Sequence, residues 1–309
     1  MKNILIAGGS GLVGKRLTQL LQQKGYTVAW LSREAKAAAP VQTFTWDIKR
    51  QLIHKAAFQF ADAVINLAGA GVVEKRWTSA YKKEIYDSRI QSTSLLVDYI
   101  AHQSNHVEVL VNASAIGIYG NDFDKEATEG MEPAHTFLAK VCRDWEAAAS
   151  QSQQAGVRTV FIRTGIVLSE NEGFIGQLKT PIQWYAGTAL GSGAQLTSWI
   201  HIDDLCAIYI NALENERMSR AYNAVAPVPV TNKQLTHLLA KELNRSIILP
   251  NAPAFALKIA LGEMADMLIG SQPVSSQKIT DTGFVFKFAQ AREAIHDLLS
   301  KGNKPKRFS

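Results

Sequence analysis

The sequence predicts an α/β fold: a doubly wound parallel sheet followed by a smaller C-terminal lobe. Three observations carry that prediction. Short apolar runs alternate with stretches of helical spacing up to about residue 170, glycines crowd the turn after the first run, and beyond 170 the alternation stops. Strands that alternate with helices fit a parallel sheet covered on both faces, because each crossover lays a helix against the sheet.

The elements follow in order. "KNILIA" is a continuous apolar run bounded by glycine, the pattern of a buried parallel strand. "GLVGKRLTQLLQQKG" then sets Leu12, Val13, Leu17, Leu20 and Leu21 on one helical face and ends at Gly25 as a C-cap. "YTVAWLSR" and "QTFTWD" read as the second and third strands, "ADAVINLAG" as the fourth and "VEVLVNASA" as the fifth. The helix "SRIQSTSLLVDYIAHQ" separates the last two. "AKVCRDWEAAASQSQQ" is the next helix and "VRTVFIRTGIVLS" the sixth strand. The first domain is therefore expected over 1–170, with core strands continuing to about 230, and a second segment and lobe over 171–309. The stretch 171–202 is rich in glycine and aromatics and lacks a period; an irregular segment of that length reads as a binding region.

Composition narrows the classes. A hydrophobic content of 47% supports a real core, and no apolar run is long enough to span a membrane. The start lacks the pattern of a signal peptide. Two cysteines, Cys142 and Cys206, make no disulfide framework, which favours the cytoplasm. CxxC and HExxH are absent, so no metal site is expected. The net charge of +6 suits an anionic small molecule. It lacks the aromatic-interleaved basic stripe of a nucleic-acid binder, and the basic tail "KGNKPKRFS" reads as a solvated end. "GGSGL" is not GxSxG, because Leu12 stands where the last glycine would be; a nucleophile elbow is excluded.

The glycines have a purpose between a buried strand and a helix. There the backbone can approach a pyrophosphate, whose charge the helix N-terminus stabilises. "GGSGLVG" fits GxGxxG from Gly9 or GxxGxxG from Gly8, Gly11 and Gly14. The end of the second strand selects the cofactor. NAD sites usually carry a carboxylate there; this chain has Ser32-Arg33, and an arginine accommodates the 2′-phosphate of NADP(H).

Together, "GGSGLVG", "WD" at 46–47, "NLAG" at 66–69 and "SAIGIYG" at 114–120 resemble the short-chain dehydrogenase superfamily, extended epimerase/dehydratase branch. "RW" at 76–77, "SR" at 88–89, "FLAKVCRDWE" at 137–146, "SWIHIDDL" at 198–205, "VPVTN" at 228–232 and "SQPVSS" at 271–276 are similar to its atypical "epimerase family" group, which has its own C-terminal segment. The resemblance implies a Rossmann domain in which Gly8, Gly11, Leu12, Val13 and Gly14 hold the pyrophosphate. It further implies Ser32 and Arg33 at the adenosine phosphate, Asp47 near the adenine, and Leu67, Ala68 and Gly69 along the cofactor.

The catalytic positions transfer less well. Members of the superfamily pair a tyrosine with a lysine four residues later, on one helical face, so that the ammonium lowers the phenol pKa. Lys140 is present, but Thr136 stands four residues before it, an alcohol too weakly acidic for that role. The helper serine position falls on Ala115, with Ser114 one place away. Lys140, Ser114 and Tyr119, the nearest phenol, are thus the catalytic candidates, and Lys140 is also expected at a cofactor ribose. Arg76, Trp77, Trp199 and His201 are candidates for a wall around the substrate. A positioning role at the start of a helix is the other reading of His201, with Asp203 or Asp204 as the cap. The acid-rich stretch 121–132 reads as a solvated loop or lid. Two functions remain: an NADP(H)-dependent epimerase/dehydratase-like oxidoreductase with a degenerate Tyr-Lys pair, or a non-catalytic NADPH-binding sensor.

Overall fold

Residues 3–7 hold nothing polar after Asn3, and the chain uses them at the centre of a sheet. The computed structural model describes residues 1–34, 39–102, 106–121, 125–170 and 172–302. The basic tail after 302 and residues 122–124 of the acid-rich loop lie outside the described residues. In chain order the first elements are β1 (Asn3–Ala7), α1 (Leu12–Gln23), β2 (Thr27–Ser32), β3 (Gln42–Asp47), β4 (Leu52–Ile53) and α2 (Ala56–Phe60). Next come β5 (Ala63–Asn66), α3 (Ser79–His102), β6 (Val109–Ala115), α4 (Phe137–Ser150), β7 (Arg158–Thr164) and β8 (Ile166–Leu168). The chain continues through α5 (Gly173–Gln183), β9 (Leu196–Thr197), β10 (Trp199–His201), α6 (Ile202–Glu214), β11 (Arg220–Ala224) and β12 (Val230–Thr231). It closes with α7 (Asn232–Glu242), α8 (Ala254–Leu261), α9 (Met264–Ile269), α10 (Gln277–Thr280) and α11 (Ala291–Gly302).

The main sheet has eight strands in the order β11-β7-β6-β5-β1-β2-β3-β4. β1 pairs in parallel with both β2 and β5, β2 with β3, and β5 with β6; β4 returns antiparallel on β3. The reversal of strand order about β1 and β5 is the switch point at which open α/β sheets bind ligands. Ile4, Leu5, Ile6 and Ala7 have no exposed surface, and Leu5, Leu31, Phe44, Val64 and Leu110 share one core cluster with Leu96 of α3. Helix α1 stops in a left-handed Gly25, with Tyr26 N–H donating to Leu21 O and Gly25 N–H to Gln22 O. That pairing satisfies the last carbonyls of the helix and puts Gly25 one place beyond its C-cap, Lys24.

The chain divides into two compact units. The first comprises Met1–Gly120, Glu132–Arg163 and Cys206–Tyr222, and the second Asn121–Met131, Thr164–Leu205 and Asn223–Ser309. Within the second unit, β8 pairs in parallel with β10, and β9 antiparallel with β12. The carboxylate of Asp204 accepts the backbone N–H groups of Lys287 and Phe288, both at 2.9 Å, and so ties the segment before α11 to the "HIDDL" motif. No described helix is long and apolar enough to cross a membrane.

Candidate functional site

The four glycines of the turn after β1 and the first turn of α1 lack side chains for different reasons. Gly8 has φ +83°, and a Cβ there would lie 2.8 Å from the carbonyl carbon of Leu67. At Gly9 a Cβ would run into the Trp30 indole at 2.2 Å, and at Gly14 into the Gly8 carbonyl oxygen at 2.6 Å. Trp30 is itself fixed: its Nε1–H donates to Thr18 Oγ1, which donates to Gly14 O. Packing therefore accounts for Gly8, Gly9 and Gly14. It does not account for Gly11, the N-cap of α1, whose backbone is ordinary extended chain (φ −76°, ψ 175°). The nearest atom to a Cβ at Gly11 is Gly8 O at 3.4 Å, an ordinary contact. Helix α1 has no side-chain cap and no acid in its first turn, so its first N–H groups and the positive end of its dipole have no anionic partner within the helix. A phosphate-bearing ligand fits these residues.

The ends of the parallel strands β2, β3 and β5 lie at the same edge of the sheet as the glycine turn. β2 ends at Ser32 with Arg33 exposed beyond it. Asp47, at the end of β3, is engaged locally: Oδ1 accepts from Lys49 N and Arg50 N, and Oδ2 lies 3.6 Å from Arg50 Nε. Leu67, Ala68 and Gly69 follow β5, where the Gly8 contact joins the two turns. Asn66 braces that strand end: its amide donates to Asn112 Oδ1 and Thr93 Oγ1, and its Oδ1 accepts from Ala68 N.

The catalytic candidates separate. Ser114 Oγ donates to Glu146 Oε1 at 2.6 Å. Arg163 grips the same carboxylate from both sides (Nε to Oε1 and Nη2 to Oε2, each 2.9 Å) and donates through Nη1 to Tyr119 Oη at 2.9 Å. Burial disfavours the Arg163 charge, but the Glu146 hydrogen bonds outweigh it and hold the guanidinium pKa above its ordinary value. Ser114 and Tyr119 are thus brought together in one buried ionic network. Lys140 is not part of it. On α4 the side chains of Ala139, Cys142, Glu146 and Ala149 face inward, whereas Lys140 is 55% exposed and pairs with Asp144. The Asp144 hydrogen bond raises the ammonium pKa, and Lys140 Nζ stands 4.6 Å from the centre of the Tyr86 ring. The Tyr86 hydroxyl donates to Asp144 Oδ2 at 2.9 Å. Thr136 is the N-cap of α4, its Oγ1 accepting from Ala139 N. Cys142 of α4 is also buried on that inward side, and its burial pushes the thiol up to about 11.

The substrate candidates also divide. Arg76 is exposed, and Trp77 is half-buried, donating to Val72 O and packing edge-on against Phe137. In the second unit Trp199 has no exposed surface and donates to Val228 O, so it belongs to a core and forms no wall. His201, 1% exposed, stacks on Phe288 at 3.9 Å and accepts the Asp203 N–H at Nδ1, which leaves its ring proton on Nε2, 3.4 Å from Asp297 Oδ2. The imidazole therefore caps the first turn of α6, and Asp204 is occupied by 287–288. Among the described residues no cluster could hold a metal ion.

Sequence reasoning passed over Glu146, Arg163 and Arg89. The first two are far apart in sequence and meet only through packing; the signal for Glu146 was its four-residue spacing from Cys142.

The chain is similar to known proteins along nearly its whole length. Residues 4–225 match the NAD dependent epimerase/dehydratase family, and 252–298 match a domain of unknown function, DUF1731. The epimerase family protein SAB0724c of Staphylococcus aureus is 36% identical over 97% of this chain and all of its own length. Its counterpart Mb2239 of Mycobacterium bovis is 35% identical over 94% of this chain and 96% of that one. Among solved structures, the human epimerase family protein SDR39U1 with NADPH superposes with a TM-score of 0.86 at 29% identity, covering 96% of this chain and 99% of that one. A nucleoside-diphosphate sugar epimerase from Corynebacterium glutamicum gives 0.77 at 33% identity, over 96% of this chain and 58% of that one. The chain belongs to the NAD dependent epimerase/dehydratase family, in its atypical short-chain dehydrogenase form with a DUF1731 segment near the C-terminus.

Proposed function

We propose that the chain is an NADP(H)-binding, epimerase/dehydratase-like oxidoreductase of the cytoplasm whose substrate is a small, anionic molecule. The observation that carries this reading is Gly11: nothing in the fold requires a glycine there, whereas a phosphate approaching the bare N-terminus of α1 does. Gly8, Gly11, Leu12, Val13 and Gly14 would hold the diphosphate, and Ser32 and Arg33 the 2′-phosphate. The NADPH named with the human relative supports the same cofactor. A bound nicotinamide dinucleotide supplies hydride donor or acceptor chemistry. The bare N-terminus of α1 would orient it, and the proton relay is degenerate, since Thr136 stands where the superfamily's phenol would be.

One observation favours the second reading, a binding protein without turnover. Ser114 and Tyr119, the hydroxyls nearest the expected relay, are both held by the Glu146–Arg163 pair. Titration calorimetry with NADPH and NADH on the wild type and on Gly11→Val tests the cofactor site. Valine suits the extended backbone at 11, so the variant is expected to fold and to lose dinucleotide binding; unchanged affinity would remove the site. Following NADPH absorbance against a substrate panel then separates enzyme from sensor.

A further inference from the structure

The second unit holds a cavity whose lining lies entirely within Thr164–Leu205 and Asn223–Ser309. It measures about 20 Å³, room for roughly one water, and is partly open to solvent. Its apolar walls are Ile166 of β8, Phe174 of α5, Leu190, Leu196 of β9, and Met267 and Leu268 of α9. Among the described residues no charged side chain lines it.

Polar groups tie these walls together. Leu190 O accepts from Gly193 N and Gln195 Nε2, and Leu268 O accepts from the same amide. Leu196 N donates to Ser271 Oγ, and Leu196 O accepts from Gln272 N. Ser198 Oγ donates to Gln272 O and accepts from Val274 N.

Two lining groups stand apart from this pairing. Asn232, the first residue of α7, is 4% exposed, and its Oδ1 accepts the Leu190 N–H at 2.8 Å. That bond fixes the orientation of the amide and leaves Nδ2 with no partner among the described residues. Thr197 of β9 is 8% exposed, and its hydroxyl has no partner among them either. Asn66 of the first unit shows what a structural asparagine looks like in this chain. Its Nδ2 donates to Asn112 Oδ1 and Thr93 Oγ1, while its Oδ1 accepts from Ala68 N.

Packing gives no reason for the unpaired groups. Valine has the shape of threonine and suits a strand, and an aspartate could hold Leu190 N as well as an asparagine does. Burying an unpaired donor costs stability, so the hydroxyl and the amide N–H are retained against a cost. In an apolar, uncharged cavity, a hydroxyl and an amide N–H complement a neutral oxygen acceptor. A carboxylate or phosphate would lose its water there with no cation to offset the loss.

We propose that this cavity binds the carbonyl end of an uncharged small molecule, with Asn232 Nδ2 and Thr197 Oγ1 as donors to its oxygen. Met267, unbranched and adaptable, is the wall residue that yields to the apolar part behind the carbonyl. The site does not depend on the dinucleotide reading, and a substrate that is anionic overall places its charge outside this cavity.

The test titrates the full chain, isotope-labelled for NMR, with acetamide and separately with acetate, a charged molecule of nearly the same shape. Acetamide should move the side-chain amide signals of Asn232 saturably, and acetate should leave them in place. Thr197→Val should weaken acetamide roughly three- to tenfold, the worth of one neutral hydrogen bond. The same variant should match or exceed the wild type in urea unfolding, because the hydroxyl it removes has no partner to lose. Asn232→Asp keeps an acceptor for Leu190 N and removes the donor, so it should abolish the acetamide response of the Leu190 amide signal. Signals of Asn232 that acetamide does not move would leave the cavity to water alone, and acetate bound as well as acetamide would show that charge is admitted; either overturns the proposal. Unchanged acetamide affinity in Thr197→Val, or a loss of stability there, overturns it too. If Asn232→Asp does not fold, Thr197→Val decides by itself.

Discussion

Helices α1 and α4 each follow a parallel strand, yet they begin in opposite ways. The N-cap of α4 is Thr136, whose hydroxyl accepts the Ala139 N–H, so the helix satisfies its own first turn. The N-cap of α1 is Gly11, with no side chain to offer, no acid in the first turn, and only an ordinary contact where a Cβ would stand. A helix that caps itself needs no ligand at that end. One that leaves its donors bare, behind a turn locked by Trp30 and Thr18, is prepared for an anion. On the function proposed above, cofactor binding falls to the start of α1 and a structural duty to the start of α4, where the superfamily's phenol would stand.

The largest effect is expected on the α1 side. Arg33→Ala should weaken NADPH by roughly ten- to a hundredfold, because a guanidinium–phosphate contact is charge-assisted, and should leave NADH nearly unchanged. Competitive titration of the two cofactors reads this directly. Equal losses would mean that Arg33 contacts a part common to both, and the NADP(H) preference would fail. On the α4 side a smaller effect follows from the cap. Thr136→Val should cost about 1 kcal/mol of stability in urea unfolding, the usual worth of an N-cap hydroxyl, with NADPH affinity intact. Loss of a measured turnover with stability and binding preserved would make Thr136 a working catalytic group and erase the contrast between the two helices.

Much of the first unit was legible because its strands are nearly continuous apolar runs and its glycines flank them. The start of α3 was not. Ser79–Asp87 is polar apart from Ala80, Tyr81, Ile85 and Tyr86, and its helicity comes from tertiary packing, with Tyr81 and Ile85 clustered against Val141 of α4. The two-residue strand β4 and the five-residue α2 are too short to show a period. The site was legible where it depends on backbone, as at Gly8–Gly14, and obscure where it depends on which face a helix turns. Spacing alone puts Thr136 and Lys140 on one side of α4. That the sheet-facing side instead carries Cys142 and Glu146 is decided by partners far away in sequence, Arg163 and Ser114. Trp199 shows the same dependence on distant partners, since the second unit buries it, while His201 takes the positioning role at the start of α6 that the sequence also offers.

Lys140 gives the last and smallest expected effect. The resemblance to the superfamily implies that it holds a cofactor ribose, and on that basis Lys140→Met would weaken NADPH. The structure pairs it with Asp144 one turn along the same helix and sets it against the Tyr86 ring, more than half exposed. A surface pair of this kind contributes little to stability, because water and salt screen it. Asp144 would also keep its Tyr86 and Arg143 partners after the substitution. Lys140→Met is therefore expected to leave the NADPH dissociation constant within about twofold, the scale of an interaction absent from the complex. The measurement is the same calorimetric titration, repeated at low and high salt. A loss matching that of Arg33→Ala would mean that Lys140 leaves Asp144 when the cofactor binds. The start of α4 would then serve the ligand as directly as the start of α1.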